Sequence, residues 1–325
     1  MEHNKDFQEH RNRVHEETLE TMEDVIQHLC PFKKKISKLF GINSTFIFRG
    51  VSDHNYQLQP SLYRGFEKKS HNRDVLLEEL RLLKDFVEAC DLSGTQIPAD
   101  SYKLRIEINS DNTIFNRMMK EQSSWLVDGT LNEIIGLAQH YGVPTRFLDW
   151  SYQPLVALYF ASIGAIKKMN NDLDKDYSDS YIAVWAYLPT NHSRVKVVDL
   201  PRSINSHISY QQGCFTFIIQ DRDRFSPINR SDNDRSKTLF MDTYLRQDDL
   251  TNNIILAPKT LLVKLKIPYS LVTEIYKYCD AYSFNAATLF RGPHGSAEYT
   301  NEKRIMHKVE YDLNLKKKGL KPITL

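Results

Sequence analysis

Disulfide chemistry is the first thing this chain lacks. Its 325 residues hold four cysteines, Cys30, Cys90, Cys214 and Cys279, far apart and without a C-x-x-C pair. That excludes a disulfide framework or a zinc knuckle as the organising principle. No apolar run approaches the roughly 20 residues of a membrane-spanning helix. The opening MEHNKDFQEHRNRVHEE is polar where a secretory leader is apolar. The expectation is a cytoplasmic protein with reduced thiols and no membrane partner. An excess of one charge is missing too: the net charge of +2 sets up no global field for nucleic acid, although Lys33–Lys35 and Lys316–Lys318 form local basic clusters.

The common catalytic signatures are also absent. There is no phosphate-binding G-x-x-x-x-G-K-[ST], no G-x-G-x-x-G, no H-E-x-x-H and no G-x-S-x-G. The eleven histidines show no close ligand spacing. Asp172, Asp174 and Asp176 begin like a calcium loop, but Tyr177 and Ala183 stand where glycine and glutamate are needed. No metal is expected.

What is present is an ordinary globular composition, 41% hydrophobic and 26% charged, long enough for one large domain or two modest ones. Leu19, Met22, Val25, Ile26 and Leu29 recur at helical spacing and predict a helix from Glu16 to Pro31. A short helix follows to Gly41, then a strand over Thr45–Phe48. Helices are expected over Val75–Cys90, Ile114–Trp125, Leu131–Tyr141, Pro154–Lys167 and Leu271–Tyr282, with irregular chain over 91–112 and surface loops over 170–180 and 221–235. Strands are expected over Arg146–Trp150, Tyr181–Tyr187, Cys214–Ile219 and Leu261–Ile267. Helices dominate early and strands late, which argues for an α+β fold in which a helical N-terminal part surrounds a mixed β-sheet core. The expected division is a helical lead-in over 1–30, a main domain over 31–300 and a basic tail over 301–325.

Two places carry chemistry. FIFRG, residues 46–50, ends a predicted buried strand on Arg49, and a buried guanidinium must find a partner. A carboxylate of the protein and a phosphate of a ligand both qualify, and Gly50 lets the chain turn away without a side chain. The second place is AQHYGVPTRFLDWSYQPLVALYFA, residues 138–161, which sets His140, Tyr141, Arg146, Asp149, Trp150 and Ser151 beside a deeply apolar helix. A purely structural account pairs Arg146 with Asp149 and has Ser151 cap the helix.

FRG at 48–50, QHYGVPTRFLDWSYQPLVALYFA, YQQGCFTF at 210–217 and KIPYSLVTEIYKYCDAYSFNAATLF at 266–290 occur in an order that resembles the FRG-domain family over roughly residues 30–300. The chain departs from it after TLF, where RGPHGSAEY replaces an acidic Pro-Asp-Leu-Asp-Gly run. The succession of a strand bearing arginine, a strand ending in serine followed by an A-x-x-F-A-like helix, and a glutamine-containing turn before a strand is similar in outline to ADP-ribosyltransferases. That likeness implies a split sheet and NAD as co-substrate. Arg49 and Gly50 would hold the pyrophosphate, with His140, Tyr141, Arg146 and Tyr63 as further cofactor contacts. Tyr63, Tyr141 or Trp150 would stack on the ring, Ser151 would hold the nicotinamide amide, and Gln212 or Asp149 would act where such enzymes place a glutamate.

The likeness further implies a toxin or antiviral defence enzyme modifying a macromolecule, with RNA or DNA favoured by Arg222, Arg224, Arg230 and Arg235, and with a neutralising antitoxin or chaperone as partner. A non-catalytic module binding a nucleotide or phosphate, and a structural protein whose motifs are core, are the alternatives.

Overall fold

The run YIAVWAY, residues 181–187, has no polar side to offer water, so it belongs in the middle of a sheet covered on both faces. The computed structural model places it there. It describes residues 13–30, 35–41, 44–65, 72–109, 129, 131–190, 195–201, 209–218, 240–246 and 259–318. The expected helix over Ile114–Trp125 and the expected loop over 221–235 lie outside the described residues.

In chain order the elements are β1 (Val14–Thr18), α1 (Met22–Leu29), α2 (Lys35–Phe40), β2 (Ile47–Val51), α3 (Asn72–Ser93), α4 (Tyr102–Asn109), α5 (Asn132–His140), β3 (Leu148–Ser151), α6 (Pro154–Asn171), β4 (Tyr181–Tyr187), β5 (Val195–Val198), β6 (Gly213–Ile218), α7 (Met241–Arg246), β7 (Leu262–Pro268), α8 (Val272–Ala281), α9 (Ala286–Leu289) and α10 (Gly292–Lys317). The seven strands form one sheet in the order β1-β7-β4-β2-β3-β6-β5. β1 runs parallel to β7 and every other neighbouring pair is antiparallel. The fold is the expected α+β class.

Alternation along the strands divides the core. Phe48, Ile182, Val184, Ala186, Val263 and Leu265 face one side, where α6 and α8 cover them. Ile47, Trp150, Trp185, Tyr187 and Leu262 face the other, with Met241 and Leu245 of α7. α6 is buried nearly all round, as its unbroken apolar composition requires. It also lies unusually close to β2. A Cβ built on Gly50 would come within 1.8 Å of the Ala157 carbonyl oxygen, and one on Gly164 within 2.8 Å of the Ser52 Cβ. Two glycines, one on each element, let helix and strand backbones touch.

Three local expectations are corrected. Glu16–Thr18 is strand rather than helix: it extends the sheet edge beside β7, and the helix begins only at Met22, capped by Thr21. The irregular stretch expected over 91–112 contains α4, secured by Arg105, which bonds Asp91 and Asp100. Residues 301–317, expected as a basic tail, continue α10 and bury Glu302, Met306, Val309 and Asp312 against the body of the protein.

Candidate functional site

Arg49 does not end its strand. β2 runs on through Val51, and Arg49 lies opposite Trp185 of β4. On its other side the ladder is nearly absent: β2 meets β4 from Ile47↔Tyr187 to Val51↔Ala183, but it meets β3 at Phe48↔Ser151. The sheet therefore opens between β2 and β3. Arg49 spans the opening, its Nη1 donating to the Asp149 carbonyl oxygen at 2.6 Å and, weakly, to Asp149 Oδ2 at 3.5 Å. Among the described residues Nε and Nη2 donate to nothing. Burial pushes the guanidinium pKa down from its ordinary value, Asp149 opposes that, and the nearby charge of Arg64 adds to the depression. Arginine remains charged through such shifts. The Arg49 guanidinium thus feels a second cationic charge, from Arg64, as well as the Asp149 carboxylate, and its open donors favour an anion.

A cavity of about 350 Å³ occupies this opening, and Arg49, Gly50, His140, Asp149 and Ser151 all line it. Gly50 serves it differently from the expectation: the glycine admits the α6 backbone rather than turning the chain. Asp149 is exposed, its side chain 56% accessible, and Gln139 Nε2 holds Oδ2 at 3.0 Å. Gln139 is in turn oriented by Thr145, whose hydroxyl donates to Oε1 at 2.7 Å. His140 stands edge-on to Tyr141, ring centroids 5.1 Å apart.

Arg146, Tyr63 and Tyr141 are placed elsewhere, whereas Trp150 and Ser151 line the cleft with their polar groups already engaged. Arg146 is buried and bonded to the buried Glu79 of α3, through its backbone N–H to Oε1 at 3.1 Å and its guanidinium to Oε2. Burial works to lower its pKa, but Glu79 and then Tyr63 outweigh that and raise it. Tyr63 belongs to this same buried group, its hydroxyl pKa pushed up to about 12 by burial. Neither lines the cleft, and the pairing of Arg146 with Asp149 gives way to Arg146 with Glu79. Tyr141 is 66% exposed and outside the cleft lining. Trp150 is packed, with its indole N–H donating to Thr216 at 2.8 Å. The Ser151 hydroxyl is committed: it donates to the Gln211 carbonyl at 2.6 Å and accepts from the Gln153 N–H at 2.9 Å. It staples the end of β3 to the glutamine turn and to the start of α6.

In that turn Gln212 adopts a left-handed φ of 47° and is exposed, while its neighbour Gln211 lines the cleft. Further walls come from residues not named as site candidates from the sequence, among them Gln139 and the aromatic rings of Phe160 on α6 and Phe290 after α9. Gln139 directly precedes His140 at the end of α5, so the polar QH pair on a helix with buried Ile135 and Ala138 was its signal. Phe160 is the aromatic of the A-x-x-F-A-like helix and Phe290 ends the TLF run, but only the fold brings the two rings to one cleft. Next to Phe290, Arg291 takes a left-handed φ of 37° and lays its guanidinium 3.5 Å above the Tyr210 ring. The divergent RGPHG segment thus closes against the residue before the glutamine turn and starts α10. Among the described residues no cluster of three or more His, Cys, Asp or Glu is arranged to hold a metal ion, and no helix is long and apolar enough to cross a membrane.

A strand carrying FRG, opened against a strand that ends in FLDWS and covered by the following helix, defines a class. Residues 44–170 match the family model described as FRG domain. The matched range runs from the residues before β2 to the end of α6. The match includes Arg49, Gln139 and Asp149 and stops before the glutamine turn and the closing segment. No curated protein and no solved structure matches the chain.

Proposed function

We propose that the cleft at the sheet opening binds NAD and that the protein is an ADP-ribosyltransferase-like enzyme acting on a macromolecule. The observation that carries this reading is Arg49, held at one nitrogen by a backbone carbonyl, with its other donors directed to no described residue in a cleft of about 350 Å³. Bidentate guanidinium–phosphate pairing needs such donors. The residues fit a nucleotide half of NAD: Arg49 for the pyrophosphate, Phe160 and Phe290 for an aromatic ring, and Gln139, His140 and Gln211 for polar edges. The cleft lies near the lower end of the ~300–1,000 Å³ range of ligand sites, so the adenosine half would run along the rim.

NAD supplies a C1′–nitrogen glycosidic bond that breaks with nicotinamide leaving on the electron pair. An acceptor heteroatom forms the new bond to C1′ and gives up its proton. Asp149 is the carboxylate placed to stabilise the cationic sugar and take that proton, because Gln139 orients it and solvent reaches it. Ser151 acts through structure, holding the Gln211 turn against β3. The acceptor is a macromolecule, with RNA favoured over protein. A toxin or antiviral defence role with a neutralising partner is the biological setting that fits such chemistry. The arginines at 222, 224, 230 and 235 that favour nucleic acid lie outside the described residues.

The test follows nicotinamide release from NAD and transfer of labelled ADP-ribose to RNA, DNA and protein in a cell extract. Turnover that falls about 100-fold in Asp149→Asn with NAD affinity retained supports the enzyme. Saturable NAD binding without release supports the second reading, a non-catalytic nucleotide-binding module. That reading is favoured by one feature: no glutamate stands at the QQG turn. Absence of both binding and release refutes the proposal.

A further inference from the structure

A second cavity, of about 320 Å³, lies under the C-terminal part of α10. Twenty residues of α10 separate its start beside Phe290 from Asp312, a distance of roughly 30 Å along the axis, so this cavity is separate from the Arg49 cleft. Its interior is apolar and aromatic: Met169 of α6, Val309 and Leu313 of α10, and the rings of Tyr177 and Tyr269. Those two rings stack on each other with centroids 5.4 Å apart and planes 13° apart. Their hydroxyls already donate elsewhere, Tyr177 to the carbonyls of Lys168 and Asp172 and Tyr269 to that of Ser52. They present carbon surface to the cavity.

Asp312 interrupts this surface. It is 3% exposed, and its buried Oδ2 accepts no hydrogen bond among the described residues. A buried carboxylate oxygen without a partner is unfavourable unless a cation meets it. The cation one turn further on does not: Lys316 directs its ammonium to the carbonyls of Leu173 and Lys175, at 2.5 and 3.3 Å. Lys175 lies over the ring of Tyr177, 5.5 Å from its centroid. The second carboxylate of the lining, Asp176, is satisfied by the Ser178 N–H at 3.0 Å.

We infer that this cavity is a binding site for a small organic amine, a single ammonium group on an aromatic or aliphatic body, whose charge pairs with Asp312 and whose body fills the space beside Tyr177, Tyr269 and Val309. A single charge is specified because the two lysines at the rim repel a polycation, and an apolar body because the walls offer few other polar partners. Burial of the pair away from water makes the carboxylate–ammonium contact selective against an uncharged isostere.

Isothermal titration of the full chain with 2-phenylethylamine, and with 2-phenylethanol as the uncharged control, tests this. The expected result is saturable one-to-one binding of the amine, at least about tenfold weaker binding of the alcohol, and at least about tenfold weaker amine binding by Asp312→Asn. Leu313→Trp, which fills the cavity without touching the carboxylate, is expected to abolish binding while circular dichroism shows a folded protein. It decides the matter if Asp312→Asn does not fold. Equal affinity for amine and alcohol, unchanged binding by either folded variant, or no saturable binding of the amine overturns the inference.

Discussion

Arg49 and Arg146 begin alike. Each sits in or beside a short strand of the same domain, each is surrounded by apolar residues, and the sequence offers both as ligands for a phosphate. The fold separates them. Arg146 has a buried carboxylate, Glu79, bonded to its guanidinium and to its own backbone N–H. Arg49 has a backbone carbonyl and a loosely held, exposed carboxylate. A buried guanidinium that already has a carboxylate is structure, and one that faces an opening with donors to spare is a candidate for ligand binding. Asp149 was the sequence's candidate partner for both. It contacts the one in the cleft and leaves the other to α3.

Breaking the Arg146 pair has the largest expected effect. Glu79→Ala leaves a buried charge unpaired and is expected to cost about 3–5 kcal/mol in urea-induced unfolding. It should impair any activity only through loss of fold. Next comes the close approach that positions the cleft: Gly50→Ala pushes a methyl into the Ala157 carbonyl and is expected to cost about 3 kcal/mol by the same measurement. Arg49→Gln sharpens the comparison, because it removes charge and bidentate donors yet leaves a polar side chain able to reach the Asp149 carbonyl. It is expected to weaken NAD binding by about 1.5–3 kcal/mol, tenfold or more, with a smaller change in stability.

The smallest effect concerns a buried carboxylate that resembles neither case. Glu302 of α10 accepts from the Tyr159 hydroxyl at 3.0 and 2.9 Å and lies 3.3 Å from Lys167. Burial raises its pKa above the ordinary 4.5 despite those partners. A raised folded-state pKa gives stability that is present below the unfolded value and lost as pH rises through the folded one. Glu302→Gln removes that dependence. Its melting temperature relative to the native protein should therefore shift in the variant's favour between pH 4 and pH 8, by about a few degrees. A constant gap would contradict the assignment.

The elements that the sequence revealed are those whose burial repeats in apolar residues: β4, α6, β7 and the long helix α3. α10 escaped because its inward positions, Glu302, Met306, Val309 and Asp312, keep helical spacing but put acids at two of the four. A hydrophobic period does not register there. β1 escaped because Val14 is its one buried residue, the buried residues flanking it are Arg13 and Leu19, and Leu19 also completes a convincing helical pattern. For the site, the motif residues Arg49, Gly50, His140, Asp149 and Ser151 do converge on one cleft. Their partners were not legible. Glu79 is 67 residues from Arg146 and the Gln211 carbonyl 60 residues from Ser151, and no local pattern encodes such pairings.

The most direct test of the difference between the two arginines is calorimetric titration of NAD into the native protein and into Arg49→Gln, with thermal unfolding of both as the control for fold. The account predicts saturable binding to the native protein and at least about tenfold weaker binding to a folded Arg49→Gln. Equal affinity in the two proteins, or no binding to the native one, would contradict it.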